Sequence, residues 1–220
     1  MIDRLLTAPV AAHEHFGDID DARLFPAEQA LVETSSEGRR REFGTVRHLA
    51  RAAMRDLGCP EAAVLPGPRR EPLWPAGLVG TMTHCAGYRA AALARRTEVA
   101  ALGLDAEPNE PLAPGVLDVI SLPGEREQLP GLRAAHPAVH WDRLLFCVKE
   151  AVYKTWYPLA GTWLGFQDAL VTFAPGAPTF TALLQLPGPV LGPDRLQTLH
   201  GRWRLERAVL SAAITVPAPD

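Results

Sequence analysis

The stretch FCVKEAVYKTWYP, from Phe146 to Pro158, constrains the fold more than any other part of the chain. Phe146, Val148, Val152 and Trp156 recur at helical spacing and form an apolar stripe, so Trp141–Leu159 is read as a helix that ends near Pro158. Lys149, Glu150 and Lys154 stand among those apolar residues. Burying such charges is costly unless a partner neutralises them. The fold therefore has to bring that partner to this helix.

The 21 prolines and 18 glycines divide the rest of the chain. Ala27–Leu57 reads as one or two helices, with Glu37–Leu57 the stronger, closed by Gly58 and Pro60. Pro66–Gly77 reads as an irregular loop and Leu78–Thr83 as a short strand. Tyr88–Ala94 and Val99–Asp105 are apolar runs separated by Arg95–Glu98, a plausible hairpin turn, although their alanines fit a helix equally well. Pro108–Pro114 suits a linker between lobes. Phe166–Phe173, Thr179–Leu186, Gly201–Leu205 and Ala208–Val216 read as strands. Both halves run helix first and strands after, which permits two similar α+β lobes, 1–110 and 111–220, while 1–36 has no assignment.

A hydrophobic content of 47% is that of a globular chain, and the net charge of −3 gives no reason to expect nucleic acid. No apolar run reaches the roughly 18 residues of a membrane span. The first residues lack the basic start and long apolar core of a signal peptide, so a cytoplasmic protein is expected. Cys59, Cys85 and Cys147 fit neither a disulfide framework nor a zinc site and read as free thiols.

Four groups of residues carry chemistry. Asp105 and Glu107, separated by one residue at a strand end, point to the same face, and a hard cation such as Mg²⁺ relieves their repulsion. Glu150 completes the set if its helix packs across that strand end, which turns Lys149 and Lys154 toward phosphates. The alternative is a solvated helix edge with an ordinary Glu150–Lys154 pair. His84, after a short strand, becomes a plausible phosphate ligand beside such a site. Arg40, Arg47, Arg51 and Arg55 share one helix face, either solvated or gripping anions.

In order and spacing, GTMTHCAGYRAAALA, GLDAEPNEPL and FCVKEAVYK resemble the 4′-phosphopantetheinyl transferases, in particular their larger monomeric group. EFGTVRHLAR and REPLWPAGLVG resemble the N-terminal lobe of actinobacterial members, and the resemblance covers roughly residues 37 to 165. It implies a pseudo-twofold pair of α+β lobes with coenzyme A bound between them, which makes Tyr88–Ala94 a strand. It further implies transfer of phosphopantetheine from coenzyme A to a serine of apo-acyl or apo-peptidyl carrier proteins, with release of 3′,5′-ADP. By the resemblance, Asp105, Glu107 and Glu150 are the Mg²⁺ carboxylates and Glu150 is also the general base. Lys149, Lys154 and His84 match phosphate ligands, with Thr83 standing where many members carry serine. Arg39 and Arg47 match the arginines on the 3′-phosphate, and Tyr153 and Trp163 fall along the pantetheine channel. Arg40, Arg51 and Arg55 are left to meet an acidic carrier. A monomer is expected, without nucleic-acid or membrane partners. The rival readings are another Mg²⁺-dependent phosphoryl or nucleotidyl transferase and a non-catalytic coenzyme A or carrier-binding module.

Overall fold

After a 3₁₀ turn at Ile2–Arg4 the chain forms β1 (Ala11–Phe16), α1 (Pro26–Val32), α2 (Glu37–Asp56), and the short strands β2 (Leu65–Pro66) and β3 (Pro72–Leu73). Then come β4 (Leu78–Cys85), β5 (Tyr88–Arg95) and β6 (Val99–Pro108), followed by the helices α3 (Val116–Ile120), α4 (Pro123–Ala135) and α5 (Trp141–Ala160). The strands β7 (Ala169–Phe173), β8 (Thr179–Leu184), β9 (Val190–Leu191), β10 (Asp194–Arg195), β11 (Thr198–Glu206) and β12 (Val209–Pro217) complete it. The computed structural model describes residues 1–6 and 9–219. Among them, one sheet has the order β1-β5-β4 and a larger one the order β6-β12-β11-β8-β7, with two small ribbons, β2-β3 and β9-β10.

Helix α2 is started by Ser36, whose hydroxyl accepts the Arg39 N–H, and it stops before Gly58, whose φ of +65° suits glycine. Its buried face, Leu49, Ala50, Ala53 and Met54, covers Ala91 and Leu93 of β5 and Leu78 of β4. Helix α5 does the same for the second sheet. Leu144, Leu145, Val148, Val152 and Trp156 pack with Val171, Phe180, Ala182 and Ile214. Each lobe is thus a helix laid on an antiparallel sheet, which is the α+β pair expected from the sequence.

Tyr88–Arg95 is a strand, and the turn after it is present, with Glu98 N–H donating to Arg95 O at 2.9 Å. It is not a hairpin turn. Both edges of β5 are already taken, one by β1 and one by β4, so β6 has no edge there to join. It pairs with β12 instead, with Asp105 opposite Ala212. The chain therefore changes sheets at Arg95–Glu98, ahead of the Pro108–Pro114 stretch where composition led a linker between the lobes to be expected. The unassigned N-terminal region supplies β1, and the stretch between the linker and α5 folds as α3 and α4.

β4 and β6 run side by side without a backbone ladder between them among the described residues. Threonine side chains make the join: Leu104 N–H donates to Thr81 Oγ1 at 3.1 Å, and Ala106 N–H to Thr83 Oγ1 at 3.0 Å. β6 is thereby buried on both faces. Leu102, Leu104 and Ala106 face the first lobe, and the alternate positions face α5. At Gly103 the contact with α5 is immediate, since an added Cβ would lie 2.1 Å from both Ala151 O and Thr155 Oγ1. Gly103→Ala should therefore cost about 1–3 kcal/mol in urea unfolding, the usual range for overpacking. An unchanged midpoint would mean that α5 is free to lift from β6.

Candidate active site at the lobe junction

Alternation along β6 continues past Gly103 to Asp105 and Glu107, which carries both carboxylates to the α5 side. Asp105 is buried. Its Oδ1 accepts Lys154 Nζ at 2.7 Å and the Thr83 hydroxyl at 3.1 Å, while its Oδ2 is buried without a partner. Glu107 Oε2 accepts Arg143 Nη1 at 3.0 Å. Burial raises the Glu107 carboxyl above its ordinary range, and Asp105 adds to the shift, with Glu150 contributing as well. Burial and then Asp105 raise Glu150 likewise. The three carboxylates expected from the sequence are therefore neighbours that repel one another.

No group of three His, Cys, Asp or Glu side chains among the described residues is close enough to hold a metal ion by itself. Magnesium asks for less, because it commonly takes one or two carboxylates and completes its shell with phosphate oxygens and water. An unpartnered buried carboxylate oxygen with two further carboxylates beside it fits that requirement in donor type and charge.

The two lysines of the α5 motif behave differently from the expectation. Lys149 is buried and faces the core. Its ammonium donates to Glu125 Oε2 at 2.8 Å, to Ala169 O at 3.0 Å and to Phe166 O, which uses all three protons. That removes Lys149 from the phosphate ligands. Lys154 reaches the junction, but its protons also have partners: Met82 O at 3.3 Å, Leu104 O at 3.1 Å and Asp105 Oδ1. It ties β4 to β6 and puts a positive charge against Asp105.

At the far side of β4, His84 lies beside Arg39, with His84 Nε2 3.4 Å from Arg39 Nη1, and both are exposed. Arg47 is buried. It donates from Nε to Val64 O at 3.2 Å and stacks over the Phe43 ring, and burial pulls its guanidinium down to about 10. Arg51 leaves the proposed carrier-facing stripe altogether, because it is buried and donates twice to Glu28, at 3.2 and 3.0 Å. Arg55 pairs with Glu61, and Arg40 donates to Glu33 O. On the other side of Glu150, a pocket of about 80 Å³ is walled by Val152, Tyr153, Trp163, Leu164 and Phe166. Tyr153 and Trp163 meet there with ring centroids 4.9 Å apart.

Arg143, Glu125 and Glu42 are absent from the sequence expectations. Arg143 fixes Glu107 and also donates to Glu110 O and Pro111 O, so it fastens the linker to α5. Its position in the first turn of a helix gave no signal of that. Glu42 pairs with Arg39 at i,i+3 and with His84, and the first of these contacts was readable from helical spacing. Cys59 and Cys85 are half-buried, Cys147 is buried, and all three are free.

Two helix-on-sheet lobes thus meet at a junction that holds one buried carboxylate, Asp105, two half-buried ones, Glu107 and Glu150, and cationic side chains around them. The chain matches two family descriptions: "4′-phosphopantetheinyl transferase N-terminal domain" over residues 27–94 and "4′-phosphopantetheinyl transferase superfamily" over residues 101–207. The chain belongs to the 4′-phosphopantetheinyl transferase superfamily. The two matched segments meet at the turn where the chain changes sheets. The 4′-phosphopantetheinyl transferase Svp of Streptomyces mobaraensis is 50% identical over 100% of this chain and 90% of its own length. The 4′-phosphopantetheinyl transferase PptT of Mycobacterium tuberculosis is 46% identical over 94% of this chain and 92% of its own. Npt of Nocardia iowensis is 44% identical over 97% and 99%. No helix among the described residues is long and apolar enough to cross a membrane.

The position of Lys149 carries a stability prediction. Lys149→Ala leaves Glu125 buried without its counter-charge and should cost about 3–5 kcal/mol in denaturant unfolding. A variant of unchanged stability with weakened coenzyme A binding would return this ammonium to the phosphate site.

Proposed function

We propose that the chain moves the 4′-phosphopantetheine group of coenzyme A onto a serine hydroxyl of an apo-acyl or apo-peptidyl carrier protein. The single observation that carries the site assignment is the buried, unpartnered Asp105 Oδ2 at the junction of the lobes, with Glu107 and Glu150 beside it. In the transfer, the serine oxygen forms a bond to the pantetheine-bearing phosphorus. The bond from that phosphorus to the bridging oxygen breaks, and adenosine 3′,5′-bisphosphate leaves with the bridging oxygen.

Glu150 takes the serine proton, directly or through one water. Its raised affinity for protons makes it a better base than an ordinary carboxylate. Lys154 holds Asp105 in place, and its charge adds to the positive field at the junction without giving up a proton. Arg39 and His84 hold the 3′-phosphate, with Arg47 behind them as a buried charge. Tyr153 and Trp163 line the wall along which the pantetheine arm lies. Asp105, Glu107 and Glu150 would hold Mg²⁺, which when bound supplies charge stabilisation to the pyrophosphate oxygens. The protein acts as a monomer, since each lobe contributes to one junction within the same chain.

Incubation of apo-carriers with this protein, coenzyme A and Mg²⁺ should add one phosphopantetheine to the carrier by intact-mass spectrometry. Asp105→Ala should nearly abolish that addition while far-ultraviolet circular dichroism stays unchanged. Unmodified carriers across a varied panel would overturn the assignment.

A second expectation concerns pH. Glu107 and Glu150 release their protons at higher pH than the ordinary 4.5. Metal uptake requires the ionised forms, so it is full above the raised values and is lost as pH falls through them. Calorimetry of Mg²⁺ binding in two buffers of different ionisation enthalpy should show proton release that grows as the pH is lowered toward that range. Binding without proton release there would separate these carboxylates from the metal.

A further inference from the structure

Glu42 has no part in the roles assigned so far, yet it stands at the centre of the basic group on α2 and β4. Its Oε1 accepts Arg39 Nη1 at 3.1 Å and is paired with His84 Nδ1. A carboxylate is out of place in a phosphate site on charge alone. Exposure explains the arrangement: the Glu42 side chain is 20% exposed, against 47% for Arg39 and 45% for His84. The carboxylate lies beneath the two basic groups and does not stand between them and the solvent.

From beneath, a carboxylate on Nδ1 fixes which imidazole nitrogen carries the proton and orients the ring. His84 Nε2 is then left as the acceptor for Arg39 Nη1, 3.4 Å away. The charged groups around the ring are Glu42 and Arg39 from α2, Lys154 from α5 and Arg89 from β5. Although 45% of the His84 side chain is exposed, the protein packed around the rest of the ring disfavours the imidazolium, as do the three cations, and Glu42 favours it. Without Glu42, the ring would lose both its orientation and its support for a positive charge.

We propose that Glu42 is a positioning residue for the 3′-phosphate of coenzyme A, holding His84 through Nδ1 so that Nε2, which takes up a proton from solvent as the phosphate binds, donates to the phosphate together with the Arg39 guanidinium. This rests on the assignment of Arg39 and His84 to that phosphate. Simple repulsion predicts the opposite sign, because removing a carboxylate near a phosphate should tighten binding. The sign of one substitution therefore decides.

The test is calorimetric binding of coenzyme A and of 3′-dephospho-coenzyme A to the wild type, Glu42→Gln, His84→Gln and the double variant. Glu42→Gln should weaken coenzyme A binding by about tenfold, as loss of an outer-shell partner commonly does, and leave the dephospho ligand unaffected. In the His84→Gln background it should cause no further loss. Unchanged or tighter coenzyme A binding by Glu42→Gln overturns the proposal, as does an equal loss in both backgrounds. If the wild type binds the two ligands equally, the underlying 3′-phosphate assignment fails, and that result is distinct. Nitrogen-15 spectra of His84 in the wild type need no variant. They should show the neutral ring protonated at Nδ1, and a ring protonated at Nε2 overturns the proposal.

Discussion

The junction between β4 and β6 is held by side chains where a sheet would use its backbone. Thr81 and Thr83 take the N–H groups of Leu104 and Ala106, and Lys154 spans from Met82 O to Leu104 O. A continuous ladder would have fused the two lobes into one sheet and occupied the same backbone groups. With hydroxyls as acceptors the strands stay adjacent while their backbones remain unpaired to each other, and this is where the acidic residues of β6 emerge. Thr83 serves both purposes, since its hydroxyl accepts from β6 and donates to Asp105.

The charges on α5 separate into two tasks along one helix. Lys149, on the core side, closes a buried pair with Glu125 of α4, which also receives the N–H groups of Leu122 and Val171. That network anchors α4 and β7 to α5. Lys154 sits at the opposite lobe boundary and neutralises Asp105. Glu150, between them, has burial and Asp105 acting against its ionised form and Lys154 acting for it. The motif thus combines a structural cation, a half-buried carboxylate and a cation that serves the junction.

Much of this was legible in the sequence, and the gaps have a common cause. Long periodic segments such as α2 and α5 were readable, as was the same-face placement of Asp105 and Glu107, because local geometry decides them. What failed was partner choice across distance. Nothing near Lys149 names Glu125, which lies in a helix that Pro123 and Pro130 disguise. Arg51 reads as part of a basic stripe until Glu28 is folded against it. The expected hairpin at Arg95–Glu98 had the right turn, but local sequence does not reveal that β1 already covers the other edge of β5.

Two cysteines lie near the acidic cluster. Burial pushes the Cys85 thiol up to about 12, with Glu107 and Asp105 pushing the same way, and burial raises Cys147 as well. Coenzyme A ends in a thiol, and so does the arm delivered to a carrier. An enzyme that works on such molecules meets their disulfides whenever conditions turn oxidising. Exchange with a disulfide requires a thiolate, and at neutral pH these two cysteines stay protonated. Burial first, and the negative charges that suit the junction to a cation second, therefore disfavour thiolates at Cys85 and Cys147 and with them mixed disulfides with the molecules the enzyme handles.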